Sequence, residues 1–371
     1  MRFLLFATLF LSVFIILTLY ISKRFVNKLH FQTRYKKMFN LFLVVNLLGV
    51  FGYMLVRYFP VVPNFIYFLF SIPIGIIFLL FTTTLIYEIF TYLIHVGIKQ
   101  NNRREFFKKS LDFGALALAS GINAKAMYNA KHFETENVTV KLKNLKKSYT
   151  LVQLSDVHIG GLIDQKFMAS LVEKVNAQKC DAVVITGDLV DTDIHYAKEA
   201  LDELLNLKST YGTFFVVGNH EYFHNIESLI AYLTSIHINV LKNESVYIGE
   251  ANNGFNLAGV HDVLGYALEK FEPDITQALK NINDTSPTVL LAHQPKYIKE
   301  VPMSVDLVLS GHTHGGQLFP FNFLVKLEQP YIKGLHQHND FTQIYVNKGT
   351  GFWGPPMRLG ASSEMTVITL I

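Results

Sequence analysis

Apolar residues are distributed along this chain in two unlike ways. Up to about residue 98 they form long unbroken runs, at residues 3–21, 41–56 with aromatic flanks, and 65–89. A helix crossing a bilayer takes about 20 such residues, so each run is expected to be a membrane-crossing helix. Pro73 and Gly75 in the third are tolerated in such helices and predict a kink. A weaker run rich in Ala and Gly, residues 111–122, is about a dozen residues long, too short to cross alone. Beyond residue 149 the pattern changes to runs of three to five apolar residues, at 151–154, 183–185, 214–217, 289–291 and 307–309. Short apolar runs closed by Gly or a polar residue predict buried strands. Apolar-periodic stretches at 165–177, 197–207 and 226–234 fall between them and predict helices. That alternation predicts an α/β domain.

Each short run ends in chemistry-bearing residues: Asp156 and His158, Gly187-Asp188, Gly218-Asn219-His220-Glu221, His293, and Gly311-His312-Thr313-His314. Ligand-binding residues collect at the carboxyl ends of strands in open α/β sheets, so five strands are expected to build one metal site. Seven donors, Asp156, His158, Asp188, Asn219, His293, His312 and His314, are hard oxygens and imidazoles, enough for two divalent ions, whether Mn, Fe, Zn or a mixture. One ion is expected to take Asp156, His158, Asp188 and His314, the other Asp188, Asn219, His293 and His312. A two-metal site needs a bridging carboxylate, and Asp188 in its Gly-Asp turn is the natural one. The Asp-x-His and His-x-His spacings are expected to work through extended backbone, where residues i and i+2 point the same way. His220 is expected to be the catalytic general acid, a role suited to imidazole. Glu221 is expected to brace its own turn, and Asp191 to orient a ligand. Asp262, with His261, follows an expected strand at 255–260 and is a candidate to line the substrate cleft. Arg358, in a Gly- and Pro-rich loop, suits a phosphate clamp, while Trp353 in the same loop is read as packing. His195, His224, His237, His336 and His338 are read as ordinary surface or core residues.

The ordered set D-x-H, G-D, G-N-H-E, H and G-H-x-H resembles the calcineurin-like metallophosphoesterase family over about residues 149–371. The phrasing around it is similar to the branch with membrane anchors or twin-arginine signals: Thr186-Gly187-Asp188-Leu189-Val190-Asp191, His293-Gln294-Pro295 and Gly315-Gly316-Gln317. The resemblance implies a sandwich of two mixed β-sheets flanked by helices, with a dimetal site at one edge. It also implies hydrolysis of phosphomonoesters, phosphodiesters or pyrophosphates, lipid-linked ones among them. A lipid pyrophosphatase of the UDP-diacylglucosamine hydrolase type is the alternative. A metal-free scaffold is a remote second, since no ligand is missing.

Charge refines the picture. The formal net charge of +4 gathers beside the apolar runs, so it speaks of membrane orientation, and no aromatic-interleaved basic face for nucleic acid appears. Lys23, Arg24, Lys28, Arg34, Lys36 and Lys37 follow the first run, and Lys99, Arg103, Arg104, Lys108 and Lys109 follow the third. Positive loops face the cytoplasm, so the N-terminus is expected outside and residue 99 inside. A cleaved signal peptide does not fit the first run, which lacks a small-residue cleavage site. Asn102-Arg103-Arg104-Glu105-Phe106-Phe107-Lys108 resembles a twin-arginine export signal, which would carry the catalytic domain out of the cytoplasm. The alternative is a purely positive-inside cluster followed by an interfacial helix. The lone Cys180 leaves the redox compartment open. The expected organisation is a transmembrane helical region at 1–98, a basic segment and linker at 99–148, and a catalytic domain at 149–371.

Overall fold

The computed structural model describes residues 2–56 and 62–371, apart from the side chains of residues 2–4 and 6. The carboxyl-side flank of the second apolar run therefore lies outside the described residues. The chain forms two compact units: Met1–Lys131 with Gly354–Leu359, and His132–Trp353 with Gly360–Ile371.

The first unit is helical: α1 (Arg2–Arg24), α2 (Thr33–Val56), α3 (Asn64–Gly97) and α4 (Asn101–Lys131). Among the described residues, three helices are long and apolar enough to cross a membrane, at Ala7–Lys28, Thr33–Val56 and Asn64–Gly97. Pro73 lies inside α3 without ending it. Gly49 and Gly52 of α2 lie where a Cβ would strike Pro73 and Phe70 of α3, so small residues let these helices meet closely. Phe14, Ile21, Leu43, Val50, Ile77 and Ala115 share the apolar interior. Two carboxylates there are paired: Glu88 meets Tyr20, Arg24 and Lys28, and buried Asp112 accepts from the His30 N–H at 2.6 Å and the Tyr87 hydroxyl at 2.8 Å. Residues 111–122 are not a separate short helix. They are the middle of α4, whose buried positions Asp112, Ala115, Ala119, Ala126 and Ala130 lie on one face.

The second unit holds two six-stranded sheets. One contains β1 (Glu134–Val140), β2 (Tyr149–Leu154), β3 (Ala182–Thr186), β4 (Thr213–Val216), β5 (Ile238–Val240) and β12 (Glu364–Leu370). The other contains β6 (Glu244–Ile248), β7 (Phe255–Gly259), β8 (Thr288–Leu291), β9 (Leu307–Ser310), β10 (Gly334–Gln337) and β11 (Gln343–Val346). Their strand orders are β1-β12-β2-β3-β4-β5 and β10-β11-β9-β8-β7-β6. Strands β2 to β5 run parallel, as do β7, β8, β9 and β11, while the pairs β12–β2, β6–β7 and β10–β11 are antiparallel. The expected two mixed sheets flanked by helices are present.

The five strands ahead of the polar clusters are buried throughout except at Thr150 of β2, as strands covered on both faces must be. Leu151, Val184, Val216, Leu257, Leu291 and Leu309 belong to the apolar layer shared by the sheets. On the far face of the second sheet, Leu290, Val308 and Ile344 pack against Tyr297 and Ile298. Helices α5 (Gln165–Ala177), α6 (Ile194–Asp202) and α7 (Ile226–Ser235) connect the parallel strands, and Asp164, Asp193 and Asn225 cap their first turns. Residues 134–140, expected in a polar lead-in, are instead strand β1. It pairs in parallel with β12, from Glu134 opposite Glu364 to Val140 opposite Leu370. Its alternation is half-exposed, as befits an edge strand, so it carried little apolar signal.

Candidate metal centre

The turns after β2, β3 and β4 of one sheet and after β8 and β9 of the other carry every expected metal ligand. Their carboxyl ends meet because polar groups tie the sheets together there. Gln153 Nε2 donates to Thr186 Oγ1 and to the Ser310 carbonyl, both at 3.0 Å. His293 Nδ1 lies 2.7 Å from the Thr186 carbonyl. Since a carbonyl only accepts, Nδ1 carries the proton and Nε2 faces the site with its lone pair.

Backbone conformation aims the ligands. Asp156, His158, Asp188, His312 and His314 all have φ between 49° and 68°, a left-handed conformation that disfavours side chains and gathers at functional sites. The expected rationale of extended i, i+2 spacing is thereby corrected: Asp156 and His158 converge through left-handed turns just past the strand. His312 and His314 point to different groups. Gly187, at φ +83°, has no room for a Cβ, which would stand 2.6 Å from His293 Nδ1 and 2.7 Å from Gly218.

The expected ligands fall into two groups, Asp156, His158 and His314, and Asp188, His293 and His312, while His158 also groups with Asp191 and His220. The donor atoms of each lie within 4.8 Å of one another. In the first, His158 Nε2 is 3.0 Å from His314 Nε2, which is 3.4 Å from Asp156 Oδ1. In the second, His293 Nε2 is 3.2 Å from both Asp188 Oδ2 and Asn219 Oδ1. Asp188 Oδ2 also lies 3.9 Å from His158 Nε2, so this carboxylate stands between the groups.

Partners outside these groups hold them in place. Asp156 accepts from the Ser155 hydroxyl at 2.6 Å and from the His312 N–H at 2.9 and 3.0 Å. Asp188 accepts from the His220 N–H at 2.8 Å. Glu221 reaches further than the turn it was expected to brace: its carboxylate accepts from the N–H groups of Gly218, Asp188, Leu189 and Val190 at 2.6 to 3.2 Å, fixing the Asp188 loop. Asp191 bonds His220 Nδ1 and lies 3.5 Å from His158 Nδ1. The Trp353 ring stands edge-on to His220 at 6.0 Å.

The electrostatics ask for a cation. Burial would raise Asp188, but the charges of His293 and His220 outweigh it and hold its carboxyl below the usual range. Burial opposes charge on His220, yet Asp191 and Asp188 raise it to about 9; the same contest, won by Asp188, raises His293. His312 is lowered to about 3 by burial and the His293 charge, which keeps it neutral, the form that ligates metal. Asp188 is balanced by charge on His293 and His220, and a divalent ion held by His293 Nε2 would displace the proton from that nitrogen. Oxygen and imidazole donors of this kind fit divalent Mn, Fe or Zn.

Other expected residues are placed differently. Asp262 is buried, and its Oδ1 accepts from Gln294 Nε2 at 2.9 Å and the Leu264 N–H at 2.8 Å. It supports the residue after His293 and is closed to solvent, so the expected place in a cleft wall is not where it lies. His261 is buried against Phe271 and lowered to about 4, mainly by burial. Arg358 lies in the segment Gly354–Leu359 of the helical unit, fully buried, its N–H donating to the Ala126 carbonyl at 2.8 Å. The supporting roles of Gln153 and Gln294 were missed; their signal was a lone amide within or beside an apolar strand.

Comparison with known proteins agrees with this geometry. Residues 149–316 match the family model described as calcineurin-like phosphoesterase. An uncharacterised metallophosphoesterase of Helicobacter pylori is 41% identical over 319 residues, covering 85% of both chains. One of Campylobacter jejuni is 33% identical over 374 residues, covering 100% of this chain and 99% of its own. A transmembrane protein with metallophosphoesterase domain from Bos taurus is 38% identical over 235 residues, 60% of this chain and 53% of its own.

Proposed function

Because the chain belongs to the calcineurin-like metallophosphoesterase family and is a metal-dependent phosphoric ester hydrolase, we propose that it is anchored in a membrane and hydrolyses phosphomonoesters or phosphodiesters, lipid-borne ones included. The observation that carries this is the pair of donor groups with Asp188 between them. Asp156, His158, Asp188 and His314 would hold one divalent ion, and Asp188, Asn219, His293 and His312 the other. Two such ions supply an activated water and neutralise phosphoryl oxygens. The chain's own residues do the rest. Glu221 keeps the Asp188 turn rigid, and the Thr186 carbonyl fixes the His293 tautomer. His220, held by Asp191 on Nδ1 and protonated at neutral pH, gives its Nε2 proton to the leaving oxygen.

The three apolar helices support anchoring, and α4 supports a side. Asp112 meets Tyr87 of α3 and His30 of the basic loop. Farther along, the Ala126 carbonyl accepts from Arg358, whose neighbour Met357 packs on Gly75 of α3. Helix α4 thus runs antiparallel to α3. From Asp112 to Lys131 it rises about 28 Å at 1.5 Å per residue, against a hydrocarbon core of about 30 Å. Residue 132 then emerges opposite the basic loops, outside the cytoplasm by the positive-inside rule. That side disfavours a cytosolic nucleotide-lipid pyrophosphatase.

The test is hydrolysis of a panel of phosphomono-, di- and pyrophosphate esters by the purified full chain, with metal content measured alongside. About two ions per chain, with activity lost to chelator and restored by divalent metal, is the expected result. Full activity without metal would overturn it.

A further inference from the structure

Eight residues past His314, the chain enters a short helix, Asn322–Glu328, with no buried residue although four of its seven positions, Phe323, Leu324, Val325 and Leu327, are apolar. Phe319 ahead of it and Phe323, Leu324 and Leu327 within it are all exposed, Leu327 at 84%. The Phe319 and Phe323 rings meet at 5.8 Å, and Phe323 and Leu327 are one helical turn apart, so the three make a ridge. Such side chains left in water forgo about 25 cal/mol for each Å², and apolar surface gathered in one place marks an interaction site.

The ridge is held firmly. Gly316, at φ +83°, packs so closely on the Asn322 backbone that a Cβ would collide with it. Gln317 exchanges two hydrogen bonds with the Trp353 backbone, at 2.8 and 3.0 Å. Exposure here is therefore built into the turn that follows the metal ligands.

We propose that this ridge inserts into the surface of a lipid bilayer, with Phe319, Phe323, Leu324 and Leu327 among the acyl chains and exposed Lys326 at the level of the phosphates. Aromatic and aliphatic side chains with an interleaved Lys fit an interfacial element, and Lys326 complements anionic headgroups. The inference rests on the membrane-anchored reading above: apolar helices in the same chain keep a bilayer at high effective concentration, an advantage no soluble partner has. The substrate class it selects is a phosphoester carried on a lipid.

The experiment uses the full chain in nanodiscs of phosphatidylcholine and phosphatidylglycerol. Leu327→Cys is labelled with nitrobenzoxadiazole, Cys180 being buried, and lipids bearing doxyl groups on the acyl chains serve as quenchers. Strong quenching is expected at position 327 and little at a control label on Leu205→Cys, another exposed apolar site. Equal quenching at both sites, or none at 327, overturns the proposal, as does self-association through the ridge without quenching. In a second arm, Phe323→Ser, Leu324→Ser and Leu327→Ser are combined. KM for a lipid-borne ester should rise at least about tenfold, with kcat on a soluble nitrophenyl ester unchanged; no change with the lipid-borne ester, or equal losses on both, counts against insertion. A chain that will not enter the discs or hydrolyses no ester overturns the reading beneath. Hydrolysis retained with the label unquenched overturns the ridge alone.

Discussion

Asp188 is where most of the site's geometry meets. Its Oδ2 faces His293 and His158, its Oδ1 takes the His220 N–H, and its own N–H is held by Glu221. Asp188→Ala is therefore expected to abolish turnover and remove both ions together. Metal analysis checks this, and a variant that keeps two ions and near-normal activity would refute the bridging role. His220 lies beside both donor groups, its ring centroid 4.6 Å from that of His158 and its Nε2 3.9 Å from Asp188 Oδ2, and its Nδ1 is taken up by Asp191. His220→Asn should leave the metal content intact and slow hydrolysis by roughly 10²-fold or more, the scale of a lost general acid. The loss should be smaller for esters of nitrophenol, whose leaving oxygen needs no proton. Equal losses across leaving groups, or a missing ion, would make His220 something other than a proton donor.

At the scale of elements, the site depends on turns more than on strands. The five strands and the residues that follow them were legible, because buried parallel strands read as continuous apolar runs. The manner of convergence was not, since a left-handed φ at Asp156, His158, Asp188, His312 and His314 has no signature in those residue types. Strand β1 was missed because an edge strand of Glu, Thr and Asn carries no apolar run, and α4 because its inward face is Ala rather than Leu. Asp262 was misplaced because position after a strand does not say whether a carboxyl faces solvent or an amide such as Gln294. Gly187 gives these turns a direct test. Gly187→Ala forces a side chain into a left-handed position, at about 1–2 kcal/mol, and against His293. Gly334→Ala meets the same backbone penalty at φ +81° with nothing within 4 Å. Metal retention and activity should fall together in the first and stay near normal in the second. Equal behaviour of the two would mean that the Gly187 turn does not position His293.

For the whole molecule, the question is which side of the membrane the second unit faces, and α4 makes it answerable. Its first turns carry Arg103, Arg104, Lys108 and Lys109, its middle meets the basic loop through Asp112 and His30, and its far end is Lys131. If α4 crosses, the chain leaves it outside the cytoplasm. A reporter active only outside, fused after Ile371, should then be active, and one active only in the cytoplasm should be silent. The twin arginines separate two causes of that placement. Arg103→Lys with Arg104→Lys keeps every positive charge, so orientation by charge alone predicts an unchanged reporter, whereas a receptor-read export signal predicts its loss. The expected outcome is loss. Neither residue is buried, and the Arg104 guanidinium donates to the side chain of Asn101 one turn earlier, so the change leaves the helical packing intact, and the amount of protein in the membrane serves as the control. A reporter active only in the cytoplasm would invert this orientation and return the cytosol-facing lipid pyrophosphatase to first place.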